Sequence, residues 1–486
     1  MLFPTFNTRS KTVLTTVIIG LIGYVFYRAY FLSFTHDECL SYSIICGDQY
    51  QAKTANNHFL NTVFMHITNA LWGNSEFSLR LPNALAFLLY LFFSLRLLRA
   101  ASQKWLLFCL GFSLLLFNTF VLDFFSLARG YGLSLSFALG GFYFITKPIP
   151  DNSSDSLFNK TLNKDILYSV LLAFFASLAN LAMINFLITV LLIGGIKHVW
   201  YATERLLRWQ YIVVAIATVI MLAVNINPLL YLKEAKQLYH GTASLNEAFT
   251  SVVEHCFYFS PYDYIAENLF KVVCVIFWLL GITLTFLTKG RSTQLLISSA
   301  VFIILLLGII SENLLFEAKY PADRTTLIFI ITGSMLIYHT LLALYDYSKT
   351  GRGVANCLAL TISVMMGYHF SVNANLEYSQ VWRYDYGGKH VMQHIQQLTK
   401  NHQEEVTIRY YWAFKPSIQY YKERYALNLN LVEDAPDNQT TFIYTWKNAD
   451  PIPNYTAIQI FPTNNNTLFI RNDKIDQFYP VCKIYR

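Results

Sequence analysis

The chain has 486 residues, enough for several soluble domains, but its composition excludes an ordinary water-soluble protein. Apolar residues make up 55% of it and aromatic residues 16%, while only 13% are charged, against about 25% in soluble domains. The net charge of +7 is spread over separate short segments, and no basic patch with interleaved aromatic residues indicates a nucleic-acid partner. The composition therefore predicts an integral membrane protein surrounded by membrane lipids.

Long apolar runs divide the first three quarters of the sequence. Several approach the roughly 20 residues that cross a bilayer as a helix. The first run is long for a signal peptide and no small-residue cleavage site follows it, so we predict a retained helix. Segment 166–196 is predicted to be two short helices that turn near Asn180, which gives about eleven spans. The other runs include 13–34, 81–95, 105–122, 212–231, 272–287, 295–310, 326–344 and 354–370, and a further span begins near Tyr131.

Basic residues lie between alternate apolar runs, and the positive-inside rule assigns such segments to the cytoplasm. With an odd number of spans, the residues after the last span then lie outside the cytoplasm. The basic residues are Arg9, Lys11, Arg96, Arg99, Lys104, Lys147, Lys160, Lys164, Lys197, Arg205, Arg208, Lys289, Arg291, Lys349 and Arg352.

The C-terminal segment differs in composition from the rest. Residues 371–486 carry 12 Lys/Arg and 11 Asp/Glu, a density typical of a soluble domain. Apolar spacing predicts a helix over 389–400. Clusters of β-forming residues predict strands over 406–411, 441–446, 456–461 and 467–471. We therefore predict a mostly α fold: a polytopic transmembrane domain (1–370) followed by a small extracytoplasmic α/β domain (371–486).

Polar residues of types that can take part in catalysis or binding cluster after the first span. Asp37 and Glu38 follow it directly, and Asn57-His58 precedes an amphipathic run. A segment Gly-x-x-Glu-x-x-x-Arg-Leu-Pro, with Glu76 and Arg80, then leads into the second span. An acidic pair by itself could simply be the solvated end of a helix. The functional interpretation therefore depends on the order of all these motifs together.

This order of motifs resembles the start of the GT-C glycosyltransferases, in the group of protein O-mannosyltransferases and the lipid A aminoarabinose transferase. The motifs cover about the first 145 residues. The resemblance implies transfer of a sugar from a polyprenyl-phosphate donor to a lipid, glycan or protein acceptor, outside the cytoplasm and with inversion. It gives Asp37 the role of base and Glu38 a supporting or metal-binding role, and it places His58, Glu76 and Arg80 at the substrate. It favours the bacterial inner membrane as the location.

A second cluster follows the third apolar run. Asp123, Arg129 and Tyr131 lie within nine residues of one another, and charges kept beside membrane spans usually face a cavity or a partner. By the resemblance, Arg129 contacts phosphate or sugar, with Asp123 and Tyr131 beside it. An Asp123–Arg129 pair that only holds two helices together is the alternative.

A third cluster, Lys319, Tyr320 and Arg324, precedes a later span. By the resemblance these residues contact the carrier phosphate, and the guanidinium of Arg324 can do so through two bonds. An interfacial cation that extends towards water is the alternative. A divalent metal held by Glu76 and His255 is the remaining candidate, although no ligand spacing requires one.

Two other classes of protein share the layout of many spans. A transporter or flippase of a lipid-linked or envelope substrate would show internal repeats and polar groups at the midplane of the membrane, which the sequence lacks. A non-catalytic assembly protein would not need the acidic pair. Segment 382–387, Trp-Arg-Tyr-Asp-Tyr-Gly, is partly similar to a sequence of the oligosaccharyltransferase catalytic subunit, but it lacks that sequence's second Trp, and we infer no role from it.

Overall fold

Helices form most of the chain up to residue 373. The computed structural model describes residues 7–99, 104–148, 156–201, 208–258, 264–288, 292–400, 406–433, 440–446 and 452–479. Apolar helices are expected in a bilayer because a helix satisfies its own backbone hydrogen bonds. The helices are α1 (Thr8–Phe31), α2 (His36–Ile45), α3 (Phe59–Trp72), α4 (Glu76–Leu98), α5 (Trp105–Leu116), α6 (Thr119–Asp123), α7 (Tyr131–Thr146), α8 (Ser156–Ala179), α9 (Ile184–Tyr201), α10 (Arg208–Glu234), α11 (Leu245–Cys256), α12 (Tyr264–Leu287), α13 (Thr293–Phe316), α14 (Leu327–Tyr347) and α15 (Lys349–Asn373).

Many of these helices are long and apolar enough to cross a membrane. Among the described residues there are nine, and a tenth if the pair α5 and α6, bent by 52°, forms one span. Helix α7 is apolar but shorter. The prediction of a polytopic membrane protein is confirmed, with nine or ten such helices instead of about eleven spans. The predicted break at Asn180 is also confirmed, between α8 and α9. Arg205, Lys289 and Arg291 lie outside the described residues.

Apolar side chains on the outside of the helices identify the solvent of this region. Helix α10 exposes the apolar side chains of Ile212, Val213, Val219 and Ile220. A surface of this kind is unfavourable in water and favourable in hydrocarbon. The exposed residues therefore agree with a lipid environment.

A mixed five-stranded sheet with three helices follows α15. The sheet order is β2-β1-β3-β5-β4, in which β1 is parallel to β2 and β3, while β5 is antiparallel to β3 and β4. The predicted α/β character is confirmed, whereas β2, α17 and α18 were not predicted. The elements are α16 (Gly388–Thr399), β1 (Val406–Tyr410), α17 (Lys415–Arg424), β2 (Leu429–Val432), β3 (Phe442–Thr445), β4 (Tyr455–Phe461), β5 (Asn466–Arg471) and α18 (Ile475–Phe478).

The chain divides into two compact units, each built from segments distant in sequence. The first unit comprises Met1–Phe26, Lys53–Phe64 and Pro82–Ala374, and the second comprises Tyr27–Ala52, Met65–Leu81 and Asn375–Arg486. The acidic pair after the first span therefore belongs to the same unit as the C-terminal sheet.

Candidate functional site

In the second unit, the first turn of α2 carries the acidic pair Asp37 and Glu38. Thr35 is the N-cap: its hydroxyl accepts the Glu38 N–H (3.4 Å), and the Glu38 carboxylate accepts the Thr35 N–H (2.9 Å). This reciprocal arrangement is a capping box, and Thr-x-x-Glu is its sequence signature. Asp37 is 7% exposed and lies at a helix N-terminus, where the helix dipole favours a negative charge.

Glu38 also forms a buried ion pair with Arg80. The Arg80 Nε and Nη2 atoms each donate to one carboxylate oxygen at 2.7 Å, and both side chains are fully buried. The same guanidinium donates to the carbonyl oxygens of Leu32 (2.9 Å) and Ser33 (2.8 Å). Arg80 thus connects Glu38 to the end of the first span, and this pair holds the turn that carries Asp37.

Glu76, at the start of α4, is surrounded by donors from the C-terminal helices. Its carboxylate contacts Lys389 Nζ (3.2 Å) and the Arg424 guanidinium, and it accepts a hydrogen bond from the Tyr421 hydroxyl (3.2 Å). Glu76 is 2% exposed. The two cations compensate the cost of burying this carboxylate.

Asp385 is a buried carboxyl group that the sequence analysis did not select. Its Oδ2 atom accepts the backbone N–H of His36 at 2.7 Å. Burial raises the pKa of Asp385 well above its usual range, and the negative charges of Asp37 and Glu38 raise it further. We call Asp37, Glu38 and Asp385 the carboxylate cluster. Residues 37 and 385 are far apart in the sequence, so no local pattern predicts that Asp385 lies near Asp37.

In the first unit, Arg129 is held beside the segment before α3. Its guanidinium donates to the carbonyl oxygen (3.2 Å) and the side-chain oxygen (2.8 Å) of Asn56. The next residue, Gly130, has φ +71°, and an added Cβ would lie 2.5 Å from the Ala179 carbonyl oxygen and 2.9 Å from His58 Cβ. Only glycine fits this close approach, which explains how Arg129 and His58 come together.

The positive charges of Arg129 and Arg324 both act on His58. The imidazole is 5% exposed, and its ring centroid is 4.8 Å from that of Tyr131, edge to face. Burial lowers the pKa of His58 well below its usual value, and the charges of Arg129 and Arg324 lower it further. We call His58, Arg129 and Arg324 the arginine cluster. Two arginines predicted separately from the sequence thus act on a third predicted residue, His58.

Asp123 and His255 have partners within the same unit. The Tyr258 hydroxyl donates to Asp123 Oδ2 at 2.6 Å. His255 Nδ1 lies 2.7 Å from the Ser251 carbonyl oxygen, and its Nε2 lies 2.5 Å from Asp323 Oδ1. The His255 ring is therefore held at both nitrogens, by a backbone carbonyl oxygen and by the carboxyl group of Asp323.

Lys319 and Tyr320 lie in the segment between α13 and α14. Tyr320 forms an antiparallel bridge with Thr242, through hydrogen bonds of 2.9 and 3.1 Å. Lys319 is exposed. Gly241 has φ +139°, and its missing side chain leaves room for the Tyr320 carbonyl oxygen. The bridge fixes the backbone of this segment just before Arg324.

The contacts of Glu76 and His255 do not fit a metal site in this arrangement. Basic groups contact Glu76, and the Nε2 atom of His255 contacts Asp323. Over the described ranges, no three His, Cys, Asp or Glu side chains are grouped to hold a metal ion. The metal remains a prediction, and no step below uses it.

The apolar helices are those of a polytopic membrane protein, and the chain shares its fold with two solved structures, which confirms the resemblance to the GT-C group at the level of fold. The chain is similar to ArnT from Cupriavidus metallidurans in the apo state (TM-score 0.53, 11% identity) and bound to undecaprenyl phosphate (TM-score 0.54, 10% identity). Each comparison covers 95% of this chain and 98% of that chain. At such identities the similarity shows the fold alone.

A third solved structure, an Archaeoglobus fulgidus oligosaccharyltransferase, aligns with a TM-score of 0.39 at 9% identity over 86% of this chain and 64% of that one. No profile of a known protein family matches the chain, and no curated protein matches its sequence.

Proposed function

We propose that this protein is a membrane glycosyltransferase that moves a sugar from a polyprenyl-phosphate carrier to a lipid, glycan or protein acceptor. The observation that carries the proposal is the arginine cluster: the close approach at Gly130 brings Arg129 beside the buried His58, and the charges of Arg129 and Arg324 both lower the pKa of His58. A fold that in ArnT accommodates undecaprenyl phosphate supports a lipid phosphate as the anion for this cluster.

The arginine cluster suits a phosphate that gains charge during the reaction. Guanidinium groups meet phosphate oxygens through two parallel hydrogen bonds. When the bond between the sugar and the phosphate breaks, the phosphate keeps the electron pair and its negative charge increases. Fixed cations stabilise that charge more in the transition state than in the bound donor, and this difference lowers the barrier.

Asp37 is proposed to act as the base. The acceptor hydroxyl gives its proton to the Asp37 carboxylate while its oxygen forms a bond to the anomeric carbon, and the carbon–oxygen bond to the carrier phosphate breaks. One such displacement inverts the anomeric centre. The Glu38–Arg80 pair and the Thr35 cap support this role because they fix the turn on both sides of Asp37.

Mass spectrometry of lipid and glycan fractions tests the proposal in cells. Cells lacking the gene should lose one sugar modification and accumulate its lipid-linked donor. The wild-type protein should restore the modification, and Asp37→Asn should not, since loss of a general base costs about 100- to 10,000-fold in rate. Asp48→Asn is the matched control: Asp48 lies in the following loop and caps a local turn, so this variant should restore the modification.

A purified-protein assay separates transfer from transport. Membranes from the same cells supply the acceptor, and the assay measures consumption of polyprenyl-phosphate sugar and release of the carrier phosphate. Arg129→Ala and Arg324→Ala should each lower turnover by about 10- to 150-fold, because a hydrogen bond to a charged group contributes about 1.5 to 3 kcal/mol; lysine should restore it in part. Donor that crosses liposomes chemically unchanged, with Arg129→Ala affecting only that movement, would make the protein a transporter.

The C-terminal residues are proposed to lie outside the cytoplasm, on the side of the reaction. The alternation of basic segments supports this orientation. Lys349 is the first residue of helix α15, and Asn375 lies two residues after its end. Reporter fusions at these two residues should report opposite sides of the membrane, with Asn375 outside the cytoplasm. The same side for both would contradict the orientation.

A further inference from the structure

The carboxyl group of Asp385 caps the helix that carries Asp37. Asp385 ends a 3₁₀ helix, Gln380–Asp385, and is 2% exposed. Its Oδ2 atom accepts the His36 N–H at 2.7 Å, and His36 is the first residue of α2. The first N–H groups of a helix have no partner within the helix. Asp385 supplies one for the residue directly before Asp37.

The backbone around Asp385 is fixed by side chains near the turn between β4 and β5. Asn464 donates to the Tyr386 carbonyl oxygen and Asn466 to the Tyr384 carbonyl oxygen, each at 2.8 Å. Gly387 has φ +93°, and an added Cβ would lie 2.7 Å from the Phe461 ring. The residues before and after Asp385 are therefore both held, which gives its carboxyl group a defined position.

The ring of His36 has a second attachment in the same unit. His36 Nδ1 lies 2.7 Å from the Ala413 carbonyl oxygen. Because a carbonyl oxygen only accepts, Nδ1 carries the hydrogen and donates it. Backbone and ring of His36 are thus both anchored, while Glu38 on the other side of Asp37 is anchored by Thr35 and Arg80.

The charge state of Asp385 matters because two other carboxyl groups lie nearby. Burial raises the pKa of Asp385 well above its usual range; the His36 N–H lowers it in part, while the negative charges of Asp37 and Glu38 raise it. The net shift favours the protonated acid. A protonated carboxyl group still accepts an N–H through its carbonyl oxygen. It also adds no further negative charge beside Asp37, whose proposed role requires an ionised carboxylate.

We propose that Asp385 is a positioning residue for the transfer reaction: its carboxyl group accepts the His36 N–H and so fixes the turn that presents Asp37. The proposal rests on the proposed role of Asp37 as the base. It also gives the C-terminal sheet a part in the reaction, since the sheet holds Asp385.

Two substitutions separate the hydrogen bond from the charge. Asp385→Asn keeps the size and the accepting oxygen of the carboxyl group, so below the raised pKa of Asp385 its kcat should stay within about threefold of wild type, which corresponds to about 0.65 kcal/mol. Asp385→Ala removes the acceptor, and displacement of the turn should lower kcat by about 100-fold. The KM for the donor should change little in either variant. Equal losses of kcat in both variants would overturn the proposal.

The pH profile provides a readout that a merely structural residue would not change. Asp385 is neutral below its raised pKa and charged above it, so wild-type kcat should fall as the pH rises through that value. Asp385→Asn has no proton to lose at this position, so this fall should be absent. An unchanged alkaline fall in Asp385→Asn would overturn the proposal, and this comparison decides even if Asp385→Ala does not fold.

Hydrogen exchange tests the geometry without measuring activity. The His36 amide should exchange faster in Asp385→Ala than in wild type and at the wild-type rate in Asp385→Asn. Unchanged exchange in a folded Asp385→Ala would overturn the capping contact. Full activity of Asp37→Asn would instead refute the role of Asp37, whatever the exchange rates, so the two failures are distinguishable.

Discussion

Replacing Arg80 should destabilise the second unit far more than breaking an exposed ion pair. In Arg80→Ala, the fully buried Glu38 carboxylate loses both of its 2.7 Å hydrogen bonds from the guanidinium, and the carbonyl oxygens of Leu32 and Ser33 lose theirs. Removing one partner of a buried ion pair costs about 3 to 5 kcal/mol, because the remaining charge is left uncompensated. We therefore expect a loss of unfolding free energy in that range.

The matched control is Lys104→Ala. Lys104 pairs with Asp346 at 2.7 Å, but the two side chains are 22% and 60% exposed, and such a pair contributes about 0 to 1 kcal/mol. Unfolding of both variants would be followed in detergent micelles by tryptophan fluorescence against a denaturing detergent, with Arg80→Lys as an intermediate case. A loss in Arg80→Ala no larger than that in Lys104→Ala would refute the structural role of the Glu38–Arg80 pair.

Two further predictions concern the arginine cluster. Gly130→Ala should lower the free energy of unfolding by at least about 1 to 2 kcal/mol, because alanine disfavours the left-handed backbone, and the clash with Ala179 should add to this loss. The control is Gly353→Ala, where an added Cβ meets nothing within 4 Å. This variant should leave thermal stability and transfer unchanged. The pKa of His58 is lowered on folding, so the protein should lose stability as the pH falls below the unfolded pKa of about 6.5. Thermal unfolding of His58→Gln should show a smaller loss of stability at acid pH than wild type. Identical pH dependences of the two proteins would contradict this prediction.

Periodicity and composition predicted those helices and strands whose apolar residues recur at a regular spacing. The break at Asn180 and the helix near 389–400 were predicted because local spacing determines them. Helix α17 was not, since Lys415–Arg424 is mostly polar and aromatic with little apolar spacing. Strand β2 was not predicted either, although Leu and Asn alternate from residue 427 to 431, a pattern typical of a half-buried strand.

The candidate site was predicted where its residues are close in sequence. Asp37 and Glu38 were selected because they are adjacent, and the Thr35-x-x-Glu38 signature could also have predicted their fixed turn. Asp385 could not be selected in this way, since its contact with His36 joins residues 349 positions apart. The convergence of Arg129 and Arg324 on His58 likewise depends on the tertiary structure.

The contact between His36 and Asp385 also sets an order of events during synthesis. Residue 36 is made early, but its partner is 349 residues later along the chain. At about 5 to 20 residues per second, the ribosome needs roughly 17 to 70 s to cover that distance. During this interval the turn that carries Asp37 lacks the cap and the ring anchor supplied by the C-terminal residues. A nascent chain interrupted before residue 385 would therefore present the acidic pair in an unfixed turn, and the capability for transfer would arise late in biogenesis, when the second unit closes around that turn.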